Sequence, residues 1–193
     1  MDGFRIIIAE HNTDNLHLLT DLLMQEGHSV VAKVSDSASL LHNINTVQPD
    51  AIILNSTLPG ENFLELLYKL QHLRIAPVII VSEELDLNLL EDSIKSRCFG
   101  YLVYPIYSEN LIPVLEYAVN YFKIISQLEE ENKELKEREA QRKTIERAKN
   151  LLIEKKEISE REAYNLLRKL SMDKCVSMHK IASTVIKTLE NKL

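Results

Sequence analysis

The sequence predicts a doubly wound α/β domain, a five-stranded parallel sheet covered by helices on both faces, followed by a long coiled-coil helix and a small C-terminal three-helix bundle. Three observations predict this. Short apolar runs alternate with amphipathic stretches over the first half of the 193 residues. The helical pattern after the fifth run then meets no Gly or Pro from Pro113 until beyond Lys155. The charge is also split. Residues 140–193 hold 13 Lys and Arg against 7 Asp and Glu, a net of +6, on a chain whose total is −6, so the residues before them carry −12.

The strand-like runs are Phe4–Ala9, Ser29–Val34, Ala51–Leu54, Pro77–Ser82 and Gly100–Val103. They are β-branched and mostly continuous, the pattern of strands buried on both faces. Between them, Thr13–Glu26, Asp36–Val47, Asn62–His72 and Asp86–Arg97 carry apolar residues at helical spacing. Strand–helix repeats of this kind build an open parallel sheet, whose functional groups lie at the carboxyl ends of the strands. Those ends are Glu10, His11, Asn55, Ser82 and Tyr104.

The next helix starts near Ser108 or Asn110, with Pro113 close enough to its first turn to be tolerated. Such length without caps suggests a coiled coil. Leu111, Ala118, Ile125 and Asn132 at heptad position a put Val114, Tyr121, Leu128 and Leu135 at d. Asn132 at a fixes register in a parallel pair, with Glu131 at g facing Lys136 at e of the partner. The expectation is a parallel homodimer over residues 108–140, held through Ala118, Tyr121, Ile125, Leu128, Asn132 and Leu135. The competing reading is a single amphipathic helix packed on its own domain.

Residues 141–193 then divide into three helical pieces. Ile145, Ala148 and Leu152 share one helical face. Ser159 followed by Glu162 is a capping box, opening a helix whose apolar face is Ala163, Leu166, Leu167 and Leu170. Ser177 can cap a third, with Ile181, Val185 and Leu189 inward. A bundle this small is marginal alone and gains from continuity with the long helix.

Composition excludes several classes. Hydrophobic residues at 45% suffice for packed cores, and four Gly with five Pro leave little room for a disordered linker. Cys98 and Cys175 have no metal-ligand spacing and read as reduced thiols. The N-terminus runs into a strand without a cationic leader, and no apolar run reaches the roughly 20 residues of a membrane span. A cytoplasmic protein with no cofactor, no metal and no membrane association is expected. No triad or P-loop appears, so an enzyme is not.

Over residues 1–122 the chain resembles a response-regulator receiver domain, through RIIIAEHN after the first strand, PDAIILNSTLPG around the third, PVIIVS at the fourth and GYLVYP at the fifth. The resemblance implies a phosphoacceptor aspartate at the third strand's end, an acidic pair for Mg²⁺, a Ser or Thr after strand four and a lysine before the last proline. Here those positions hold Asn55, Glu10 with His11, Ser82 and Tyr104. An amide cannot supply the carboxylate nucleophile that an acyl phosphate needs. One glutamate beside a histidine is a poor Mg²⁺ site, and no lysine stabilises phosphoryl charge. A pseudo-receiver that is not phosphorylated is expected.

Residues 141–193 resemble the ANTAR domain of the AmiR and NasR type of antitermination regulator. The matching residues are Ala148-Lys149-Asn150-Leu151-Leu152, Glu160 or Glu162 with Ala163-Tyr164, Leu167-Arg168, Met172 and Ile181-Ala182, with Asn150 where glycine is usual. The resemblance implies a dimer that captures paired stem-loops in a leader mRNA and prevents a terminator hairpin. The residue chemistry agrees, because RNA loops are held by cations on phosphates and by stacking of splayed bases. The candidate contacts are Arg142, Lys149, Arg168, Lys169, Lys174 and Lys180, with Tyr164, the one aromatic residue of the tail, as stacking platform or as packing against the first helix. Met172 reads as core, and Arg161 as solvated face.

A DNA-binding regulator built on a helix-turn-helix is the alternative. A groove-reading helix offers several Arg, Asn or Gln to base edges. The last helix offers His179, Lys180 and Lys187 among Ile, Ala, Ser and Thr, which favours RNA. A dimerising scaffold is the third reading. With Asn55 unable to carry a switch, a sensor protein or ligand engaging the receiver is the expected control.

Overall fold

The structure is a computed structural model that describes residues 3–190. The chain divides into two compact units, Met1–Ser126 and Gln127–Leu193. In the first, β1 (Arg5–Ala9), β2 (Ser29–Val34), β3 (Ala51–Asn55), β4 (Val78–Ser82) and β5 (Gly100–Val103) form a parallel sheet in the order β2-β1-β3-β4-β5. The connecting helices are α1 (Thr13–Gln25), α2 (Ser37–Val47), α3 (Phe63–Leu73) and α4 (Leu87–Lys95).

Each of these helices starts where an Asn or Asp side chain satisfies otherwise unpaired N–H groups. Asn12 accepts from the N–H of Asp14 and Asn15, Asp36 from Ser39, Asn62 from Leu64 and Glu65, and Asp86 from Asn88 and Leu89. Burial explains the continuous apolar strands: all residues of β3 and β4 are buried. Alternate strand residues feed two cores. Ile6, Ile8, Ile53 and Val81 pack with Leu19 and Leu23 of α1 and with the start of α5 (Ser108–Lys156). Ile7, Ile52, Leu54 and Ile80 pack with Leu40 of α2 and Leu66 and Leu70 of α3.

The first turns of α5 correct part of the expected dimer seam. Leu111 and Ala118 are fully buried against the sheet of their own unit. Ala118 therefore has no surface to offer a partner, because the same face of the helix already covers the strands. The exposed apolar residues of α5 in this unit are Tyr117, Tyr121 and Ile124, with Tyr117 and Tyr121 stacked at 5.2 Å. Ile125 is partly buried, and Tyr121 also meets Phe99 edge-on at 6.2 Å.

In the second unit the later turns of α5 join α6 (Glu160–Lys174) and α7 (Met178–Glu190). The first helical piece of the tail is thus not separate; Ile145, Ala148 and Leu152 sit on α5 itself. Ala148, Ala163 and Ala182 are completely buried, so α5, α6 and α7 meet at small side chains, around Leu152, Leu167 and Ile181. The Ser159–Glu162 capping box is formed. The unit contains no glycine, so the chain enters the left-handed region at Glu157 (φ 53°) and Cys175 (φ 51°) instead. Leu128, Asn132 and Leu135 are exposed on α5.

Candidate nucleic-acid interface and receiver pocket

The parallel order places the carboxyl ends of β1 and β3 side by side at the point where the winding direction reverses. Glu10 follows β1 and is 1% exposed; Asn55 ends β3 and is equally buried. They meet directly, the Asn55 amide donating to Glu10 Oε2 at 2.6 Å. Tyr104, after β5, donates its hydroxyl to the same oxygen at 3.1 Å. Glu10 Oε1 accepts from the backbone N–H of Asn12 at 2.8 Å, with His11 Nδ1 3.6 Å away. Asn55 Oδ1 in turn accepts from the N–H and hydroxyl of Thr57 at 2.7 and 2.8 Å. Burial, then the Glu10 carboxylate, pushes the Tyr104 phenol far above its ordinary range, so it stays a neutral donor.

Both Glu10 oxygens are thus committed to donors of the chain itself. The groups that face this carboxylate are an amide and a neutral phenol, neither of them a second carboxylate nor a cation. One engaged carboxylate, an amide and an imidazole do not fit Mg²⁺, which takes hard oxygen ligands in octahedral geometry. Among the described residues no group of three or more His, Cys, Asp or Glu could hold a metal.

Four of the five predicted pocket residues, Glu10, His11, Asn55 and Tyr104, are brought together. Ser82 is not. It is buried, but its hydroxyl lies 2.9 Å from the Tyr101 hydroxyl and 2.7 Å from the carbonyl of Glu84. Thr57 and Tyr101 were not foreseen. The Asn-x-Thr spacing of residues 55–57 is the signal for Thr57, since Asn side chains bind their own backbone two residues on. Nothing in the sequence singles out Tyr101.

In the second unit, α6 presents two faces. Ala163, Leu166, Leu167 and Leu170 turn inward. Arg161, Asn165, Arg168 and Met172 recur at helical spacing on the opposite side and are all exposed, with Tyr164 and Lys169 flanking them. Tyr164 is 43% exposed, and Met172 at 67% is surface rather than core. Arg142, Arg168, Lys169, Lys174 and Lys180 are exposed, and none has an ion-pair partner among the described residues. Lys174 stands apart from the α6 stripe, since its spacing from Leu167 and Leu170 puts it on the inward side at the helix end.

Lys149 departs from the expectation of a solvent-facing cation. Its side chain is 8% exposed, and its ammonium donates to Glu160 at 2.7 Å and to both oxygens of Glu146 at 3.0 and 3.1 Å. These bonds, Glu160's first, raise its pKa, and Lys149 in turn lowers that of Glu160. Lys149 thus ties α5 to the first turn of α6. The cause is its neighbour Ala148, which brings α6 against this side of α5.

Comparison with known proteins fits this division. Residues 6–116 match the response regulator receiver domain, and residues 133–186 match the ANTAR domain. The transcriptional regulatory protein PdtaR of Mycobacterium tuberculosis is 30% identical over 185 residues, 96% of this chain and 90% of PdtaR. The chain belongs to the response-regulator family, with an ANTAR output domain. As an ANTAR response regulator it is an RNA-binding regulator of transcription antitermination, in a family that is regulatory rather than enzymatic. Solved structures establish the fold of the first unit. The signal receiver domain of a modulated diguanylate cyclase from Desulfovibrio desulfuricans G20 is 20% identical, with a TM-score of 0.59 over 64% of this chain and 98% of its own. A CheY-like receiver domain from Methanospirillum hungatei JF-1 is 21% identical, with a TM-score of 0.57 over 63% and 98%. No described helix is long and apolar enough to cross a membrane.

Proposed function

We propose that this ANTAR response regulator captures hairpins in leader mRNA as a homodimer, and that its receiver is a pseudo-receiver, not phosphorylated and controlled by a sensor protein or ligand. The observation that carries the RNA reading is the α6 stripe, an exposed tyrosine among arginines that no carboxylate neutralises. Arginine binds phosphate in a fixed fork, and tyrosine offers a face to any unpaired base. Arg142, Lys169, Lys174 and Lys180 extend the positive charge, while Lys149 acts by holding α6 in place. The regulator works in the cytoplasm, where leader transcripts are made.

Dimerisation through α5 uses the exposed apolar residues Tyr117, Tyr121, Ile124, Leu128 and Leu135, with Ile125 partly covered and Asn132 setting register. Three domains follow from this reading: the pseudo-receiver at 1–122, the dimerising segment at 108–140 and the RNA-binding domain at 141–193. The silent receiver is supported by the Glu10–Asn55–Tyr104 network, which satisfies the pocket with its own donors.

Gel shifts with a two-hairpin leader RNA and a duplex DNA of equal length test the output. Stronger binding to the duplex sinks the RNA reading. Intact-mass measurement after incubation with acetyl phosphate and Mg²⁺ tests the receiver, where a phosphoryl adduct on the first unit removes the pseudo-receiver.

A further inference from the structure

Among the described residues, the core of the second unit is open at one end. Beside the last turn of α5 and the C-terminal halves of α6 and α7 lies a groove of about 320 Å³. Leu166 and Leu170 line it from α6, Val185 and Leu189 from α7, and the buried Leu152 and Ile181 lie at its base. Leaving such side chains half covered forgoes about 25 cal/mol for each Å² of apolar surface. The volume falls at the small end of ligand pockets, roughly 300–1,000 Å³.

The polar rim defines what fits. Its charged residues are Lys156 at the end of α5 and Lys174 at the end of α6, and among the described residues no carboxylate lines the groove. Neither ammonium has an ion-pair partner among the described residues. Thr184 and Thr188 complete the rim, but both hydroxyls already donate to backbone carbonyls, at 3.0 and 2.8 Å. The free donors at the mouth are therefore cationic. No aromatic side chain lines the groove, so a nucleobase would find no stacking partner.

We propose that this groove binds a small amphipathic carboxylate, its apolar body against Leu166, Leu170, Val185 and Leu189 and its carboxylate on Lys156 and Lys174. Because the ligand touches α5, α6 and α7 together, its binding stabilises the unit that carries the α6 stripe. The site is independent of the stripe, since Lys174 faces the groove and Arg161 and Arg168 do not line it.

The test uses the full-length chain with decanoate as probe and decanol as its neutral twin, read by calorimetry and by amide chemical shifts. Decanoate is expected to bind and to raise the melting temperature, moving the amides of Leu166, Leu170, Val185 and Leu189. Joint Lys156→Gln and Lys174→Gln replacement is expected to weaken decanoate roughly tenfold, with the helical circular-dichroism signal unchanged. Thr184→Met, which fills the mouth, is expected to abolish binding without loss of helix. Equal binding of decanoate and decanol overturns the proposal, as does unchanged binding by the double variant. Shifts confined to other residues overturn it too. Competition between decanoate and a hairpin RNA for the same amides would assign the groove to RNA and also overturn it, whereas weak RNA binding with intact decanoate binding would count against the RNA reading alone.

Discussion

Replacing Lys149 by Met removes an ammonium that three short hydrogen bonds place between α5 and α6, while keeping the length of the buried stem. The partner carboxylates are well exposed, Glu146 at 51% and Glu160 at 73%, so water screens both pairs. Pairs screened in this way are weak, so the loss at the largely buried Lys149 side chain is about 1 kcal/mol. On a unit this small, that lowers the melting temperature by roughly 4–8 °C. The effect has a pH window. Glu160 has its pKa lowered from 4.5, so its contribution is full above that value and is lost as pH falls through the lowered one. Lys149 has its pKa raised from 10.5, so its contribution is full below that value and is lost only in stronger alkali. Wild type and Lys149→Met should differ at pH 7 and converge well below pH 4.5.

The deciding assay is RNA affinity as a function of salt. A residue on a phosphate contributes about 0.7–0.9 to the slope of log affinity against log salt. Lys149→Met is expected to leave that slope unchanged, while Arg168→Ala lowers it by about that amount. A joint Lys149→Glu and Glu160→Lys exchange should recover only part of the stability, because the new carboxylate at 149 faces Glu146. If Lys149→Met reduced the slope like Arg168→Ala and left the melting temperature alone, the strut assignment would be wrong.

Four further outcomes are expected. Asn55→Asp sets a second carboxylate 2.6 Å from the Glu10 oxygen. One of the two carboxyl pKa values is then raised, so the variant should lose stability as pH rises from 4 to 7, by about 1–3 kcal/mol in urea unfolding. Tyr164→Ala should cost about 1–3 kcal/mol of RNA affinity at every salt concentration if a base stacks there, with Tyr164→Phe nearly silent. Cys175→Gly relieves a left-handed residue at the end of α6 and should stabilise the second unit by about 1 kcal/mol in thermal melts. Leu128→Glu, on the exposed side of α5, should shift sedimentation from dimer to monomer, while an unchanged dimer would move the interface elsewhere.

Much of the fold was legible because local chemistry and burial agree. Ile6–Ile8, Ile52–Leu54 and Val78–Val81 are continuous runs, which only a sheet covered on both faces can bury. The helix starts were legible in Asn12, Asp36, Asn62 and Asp86, whose short side chains satisfy backbone N–H groups within a few residues. The pocket was legible in membership but not in bonding. Strand order brings Glu10, Asn55 and Tyr104 together, whereas the turn of Ser82 toward Tyr101 depends on a side chain 19 residues away.

The long helix α5 shows the limit. A repeat at 3.5 residues cannot say which partner a helix face meets, and α5 spends its a positions Leu111 and Ala118 on its own sheet. The same holds for the cations. Lys149 and Arg168 carry equal charge in the sequence, yet close approach at Ala148 buries one while the other stands in water. What the sequence determined by itself was the set of elements, their caps, the amide of Asn55 at the end of β3 and the basic charge of the second unit, because each is written in residues that are near neighbours. Only the tertiary structure decided which faces were already taken, because burial is a competition between surfaces far apart in the chain.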